Sequence, residues 1–125
     1  MEAKSILHVV GVECSPEMDA EFNIWYDETH IPYLLKLKIL TRVSRYKMVG
    51  AARTGAYEAG GVMDTGKEYP RYLTIYEFGS LEDFKRYDTS PELTAGREDV
   101  IREMKEVDGK MVWRVQYELM KTWKG

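Results

Sequence analysis

The sequence predicts an α+β domain, a four-stranded antiparallel sheet with helices on one face. Three observations carry this. Strand-like runs and helical stripes follow one another as strand, helix, strand, strand, helix, strand. Serine–proline pairs at Ser15-Pro16 and Ser90-Pro91 mark two helix starts. The chain has 125 residues, 44% of them apolar, which suits one domain over residues 1–125 with a core of its own.

Ser5 to Val12 is a β-branched run and reads as the first strand, with Ile6, His8, Val10 and Val12 on one face and Leu7 and Val9 on the other. Ser15 is the expected N-cap of a first helix running to about Ile31. On that helix Met18, Phe22, Trp25, Tyr26 and Thr29 form an apolar stripe, and His30 sits at its edge. Pro32 has no N–H to offer the Glu28 carbonyl, so the helix should kink or end near His30. A short piece with Tyr33, Leu34 and Leu37 follows, then a second strand over Ile39 to Val49. Gly50 to Tyr69 contains five glycines and no clear period. It reads either as a loop folded over a site through Arg53, Tyr57 or Met63, or as a surface flap. Arg71 to Phe78 alternates as a third strand. Ser80-Leu-Glu-Asp83 resembles a capping box ahead of Phe84 and Tyr87. Ser90 opens a further helix, with a stripe of Leu93, Val100, Ile101, Met104 and Val107, that Gly109 ends; Gly96 weakens it near its start. Lys110 to Thr122 is the fourth strand.

This order of elements corresponds to a ferredoxin-like βαββαβ sheet. Two helices cover only one side of it. The other side still carries aliphatic and aromatic residues, and each Å² left wet forfeits roughly 25 cal/mol. The simplest cover is a second copy about a two-fold axis, which makes a homodimeric α/β barrel. If Trp113 and Val115 face the helices, Arg114, Gln116 and Glu118 point between the two sheets and line a small-ligand cavity. The face taken by His8 depends on pairing register.

Composition narrows the partners. The formal charge is −3, with both signs scattered, so no basic tract suggests nucleic acid. No apolar run approaches the roughly 18 residues of a membrane span. The first residues lead straight into a strand without a signal peptide, and a cytoplasmic protein is the expectation. Cys14 is the single cysteine, which excludes an internal disulfide and reads as a small apolar residue at a strand end.

The segment Trp25-Tyr26-Asp27-Glu28-Thr29-His30-Ile31-Pro32 resembles the helix signature of EthD-like and related dimeric α/β-barrel proteins. Tyr69 to Phe78, Ser80-Leu81-Glu82 and Ser90-Pro91-Glu92 are similar in order and spacing. The resemblance implies the fold and the dimer. It implies no single reaction, because that superfamily includes lyases, isomerases, cyclases, cofactor-free monooxygenases, haem-handling proteins and proteins without assigned activity.

The chemistry readable in the residues is proton transfer on a small organic substrate without metal or cofactor. His30 is the acid/base candidate, with Asp27 to orient it and Tyr76 to donate to a developing oxyanion. Arg114 can hold a carboxylate or phenolate, and His8, Trp25, Tyr26, Tyr72 and Gln116 complete the candidate binding set. The plainer reading of His30 is a cap on the helix C-terminus. Two further alternatives are a non-catalytic metabolite-binding or stress-related dimeric protein and a haem-binding or haem-degrading protein using His30 or His8. Gly61 to Lys67 mimics a phosphate loop, but Glu68 and the following strand rule that out. Two histidines twenty-two residues apart make no zinc pattern.

Overall fold

The computed structural model describes residues 4–49 and 69–125. The expectations for the glycine-rich segment up to residue 68, its phosphate-loop mimic included, lie outside the described residues.

The chain forms β1 (Ile6–Cys14), a 3-10 turn (Pro16–Met18), α1 (Asp19–Trp25), a π-helical turn (Tyr26–His30) and α2 (Ile31–Leu35). It continues with β2 (Arg42–Lys47), β3 (Tyr72–Phe78), α3 (Leu81–Asp88), α4 (Pro91–Glu106) and β4 (Gly109–Glu118). The strands lie in the order β2-β3-β1-β4, and every neighbouring pair is antiparallel. This is the ferredoxin-like arrangement the element order predicts. The second and fourth strands are shorter than expected, β2 starting at Arg42 and β4 ending at Glu118. No helix among the described residues is long and apolar enough to cross a membrane.

The helix starts follow the serines, with one difference. Ser80 accepts from the Asp83 N–H and Ser90 from the Leu93 N–H, each at 3.1 Å. Ser15 occupies the corresponding position but its side chain makes no cap bond; its hydroxyl donates to the Asp108 carboxylate. Gly96 has a packing reason. A Cβ there would fall 2.2 Å from the Tyr33 hydroxyl, which donates to the Glu92 carbonyl.

Register settles which side chains face the helices. His8 pairs with Tyr76 on one side and Gln116 on the other, and Val10 pairs with Thr74 and Arg114. Partners directly across an antiparallel pair share a face. The buried row Ile6, His8, Val10, Val12 and Cys14 joins Phe22, Tyr26 and Leu34 from the first helical arm and Phe84 and Tyr87 from α3. Arg114 and Gln116 therefore lie on the helix-covered side, and Trp113 and Val115 on the opposite one. This reverses the conditional placement above. The alternation was read correctly, but strand pairing sets its phase. On the opposite face Leu7, Val9, Ile75, Val115 and Tyr117 come together across β1, β3 and β4, and none joins the core cluster under the helices.

Candidate functional site

The site grows from the π turn. Ile31 N–H reaches back five residues to the Tyr26 carbonyl, and Pro32 has no N–H with which to restore the α ladder. The helix therefore widens at the expected place near His30 and, rather than ending there, continues as α2 to Leu35. Within the turn Tyr26 and His30 meet edge to face at 4.9 Å, and Trp25 stacks on His30 from behind at 5.0 Å.

A chain of hydroxyls links this turn to β3. Thr74 Oγ1 donates to the Tyr26 oxygen at 2.9 Å, the Tyr26 and Tyr76 hydroxyls are 3.1 Å apart, and Tyr76 lies 3.4 Å from His30 Nε2. Each hydroxyl has one proton. Running the chain in one direction, Tyr26 donates to Tyr76 and Tyr76 donates to Nε2. His30 then carries its own proton on Nδ1, an atom that is buried without a partner. In the reverse direction Nε2 donates to Tyr76 and the Tyr26 proton is the one left without an acceptor.

Burial, and then the Arg45 charge, push the His30 pKa down to about 4, so the imidazole is neutral at neutral pH. Arg45 packs its guanidinium 4.3 Å from the centre of the Tyr26 ring and 5.3 Å from that of Tyr72. Its Nε and Nη2 have no hydrogen-bond acceptor and lie against these aromatic faces. Its Nη1 binds Asp27 at 2.7 Å. Burial also raises the pKa of Tyr26 and, well above the usual range, that of Tyr76.

His8 forms the neighbouring part of the wall. Gln116 Nε2 donates to its Nδ1 at 3.0 Å, and Phe84 and Tyr76 flank the ring at 5.2 and 5.6 Å. Burial, and then Arg114, lower its pKa to about 4, and Asp88 opposes them.

These groups open into a chamber of about 510 Å³ between the sheet and α4. That volume lies in the range of small organic ligand sites. Its floor is Val10, Tyr26, Leu34, Tyr76, Tyr87 and the two histidines; Leu93, Val100, Ile101 and Met104 of α4 form the facing wall. Of the residues singled out in the sequence, His8, Tyr26, His30, Tyr76 and Arg114 meet here.

Four others do not line it. Asp27 does not orient His30; it holds Arg45, with its own side chain 59% exposed. Trp25 lies behind the imidazole and donates to Glu103. The Tyr72 hydroxyl belongs to a separate cluster with Asp19 and Asn23. Gln116 acts one step back, through His8. Sequence reasoning missed Arg45, Tyr87, Asp88 and Arg97. Arg45 had a signal, a cation two residues from Val43 on the inward side of its strand. Arg97 had none, because α4 shows its chamber face only once docked.

Cys14 is a buried thiol 3.6 Å from Asp19, and burial followed by that carboxylate pushes its pKa up to about 11. It is a structural residue rather than a nucleophile. Among the described residues no three histidine, cysteine, aspartate or glutamate side chains group as metal ligands.

Comparison with known proteins places the fold. An EthD family protein from Bacillus halodurans superposes with a TM-score of 0.60 at 16% identity, over 94% of this chain and 99% of that one. A dimeric ferredoxin-like protein of unknown function from Bacteroides fragilis gives 0.54 at 18% identity, over 92% and 96%. Hydroxynitrile lyase from Passiflora edulis gives 0.54 at 14%, over 97% and 98%. At such identities the likeness is one of fold. Comparison with curated protein sequences finds no match. One family model matches residues 5–106, from β1 through α4, and the chain belongs to that family, the domain of unknown function DUF4286.

Proposed function

We propose that this protein is a homodimeric enzyme catalysing cofactor-independent proton transfer on a small, largely apolar organic substrate held in the chamber. The observation that carries this is the half-buried, neutral His30 hydrogen-bonded to Tyr76 on the chamber floor. A neutral imidazole can take a proton. Tyr76, a phenol held neutral by burial, turns its one proton from His30 Nε2 to the oxyanion that forms, which frees Nε2 to take the proton that leaves. Deprotonating a neutral group of the substrate creates anion and imidazolium together, and their attraction is strong where water is excluded. Arg45 opposes the imidazolium, so the basic form of His30 is the resting one. The fold shared with a hydroxynitrile lyase supports chemistry of this kind, and the residues named here carry the proposal.

The test begins with a thermal-shift screen of small organic molecules, since a ligand that prefers the native state raises the melting temperature. Turnover of the ligands found is then compared in wild type, His30→Gln and Tyr76→Phe. Each variant is expected to lose on the order of 100-fold or more in kcat while ligands still raise its Tm. Asp27→Asn is expected to retain kcat. Undiminished turnover in His30→Gln would refute the assignment.

The homodimer rests on the open sheet face and on the dimeric proteins that share the fold. A second copy laid against Ile75 and Tyr117, the latter 60% exposed, covers apolar area that water otherwise meets.

A further inference from the structure

The chamber has a charge pattern that the proton-transfer reading does not use. Its lining includes one carboxylate, Asp88, and four cations, Arg97, Lys105, Lys110 and Arg114. This inverts the balance of the chain, in which 21 acids outnumber 18 lysines and arginines. Arg114 is already matched, its Nη2 lying 2.9 Å from Asp88. The ion pairs among the described residues leave the other three cations without a carboxylate. All three are exposed, whereas the floor beneath them is buried. They therefore belong to the mouth, with Arg97 and Lys105 on α4 and Lys110 at the start of β4, across from Glu13 of β1, whose carboxylate is held by Arg71. Three like charges around one opening repel one another, and an anion seated among them relieves that repulsion. Below the mouth the wall is aliphatic and aromatic.

We infer that the chamber selects an amphiphilic organic anion, an apolar body inside and a carboxylate or comparable anionic group held at the mouth by Arg97, Lys105 and Lys110. The inference rests on the chamber being a ligand site and names the class of molecule it takes. Burial raises the pKa of Tyr87 most; the charges of Arg114 and Arg97 favour its ionised form, and Tyr26 and Asp88 oppose them. A negatively charged head is thus drawn to the mouth, while the reacting end lies near Tyr76 and His30.

A matched pair of probes separates the two ideas. Anilinonaphthalene sulfonate and N-phenylnaphthylamine share an aromatic body, and only the first carries an anion. Binding of each is followed by fluorescence on wild type, on Arg97→Gln/Lys105→Gln/Lys110→Gln and on Val100→Trp, which fills the chamber. The sulfonate is expected to bind wild type at least about fivefold more tightly than the amine. That preference should shrink as salt shortens the screening length from about 10 Å at 0.1 M to about 3 Å at 1 M. It should vanish in the triple variant with amine binding kept, and both probes should be lost in Val100→Trp. Equal binding of the two probes, or a preference that survives the triple variant, overturns the anion inference and leaves the chamber standing. Failure of both probes to bind wild type, or full binding of both by Val100→Trp, removes the chamber as the site and the inference with it.

Discussion

Two neutral histidines lie on the chamber floor, and their neutrality makes stability depend on pH. Unfolded, each titrates near 6.5; folded, near 4. Between those values the unfolded chain binds protons that the folded one refuses. The contribution is therefore complete above about pH 6.5 and is lost as the pH falls toward 4, on the order of 3 kcal/mol for His30 alone. Urea unfolding at about pH 7.5 and about pH 5 should show a marked fall for wild type and a smaller one for His30→Gln. An equal fall in both would mean that His30 is not buried neutral. Tyr76→Phe removes one oxygen from the hydroxyl chain and leaves His30 Nε2 and Tyr26 each short of a partner. It is expected to cost about 1–3 kcal/mol in the same measurement, although the ring is nearly isosteric.

At the scale of the element, the first helical arm departs from its sequence pattern in a useful way. A regular helix through Pro32 would leave the Glu28 carbonyl without a donor. The π turn at Tyr26–His30 absorbs the mismatch and sets His30 between Trp25 and Tyr26. The helices of the second half depend more simply on their caps. Ser90→Ala is expected to lower stability by about 1 kcal/mol, visible as a drop in Tm, because the Leu93 N–H loses its acceptor. Ser15→Ala should not show a cap effect, since that hydroxyl binds Asp108 instead. Equal losses at the two serines would contradict this division.

At the scale of the molecule, the sheet has one face roofed by helices and one face that no described helix covers. The open face is where a second copy is proposed. Ile75→Lys places a charge at its centre, beside Val9. Sedimentation is expected to show wild type at twice 14.6 kDa and the variant at 14.6 kDa. A wild type that stays monomeric at micromolar concentration would refute the dimer. The chamber lies on the other face, so the variant should keep its probe binding. Loss of both together would mean that the partner shapes the chamber.

What the sequence by itself determined was local: where helices begin, which runs alternate, that Tyr26 and His30 share a segment closed by a proline, and hence the order of elements that specifies the fold. Ser80, Ser90 and Pro32 act through atoms within a few residues, so their effects are legible in one dimension. Tertiary structure decided the rest. Period-two alternation says that Arg114 and Trp113 face opposite ways but not which one faces inward; that phase comes from pairing with β1, about a hundred residues earlier in the chain. Asp27 had His30 three residues away, yet it binds Arg45, which β2 brings within 2.7 Å. The chamber itself is a space between α4 and the sheet, and a space bounded by distant elements has no sequence of its own.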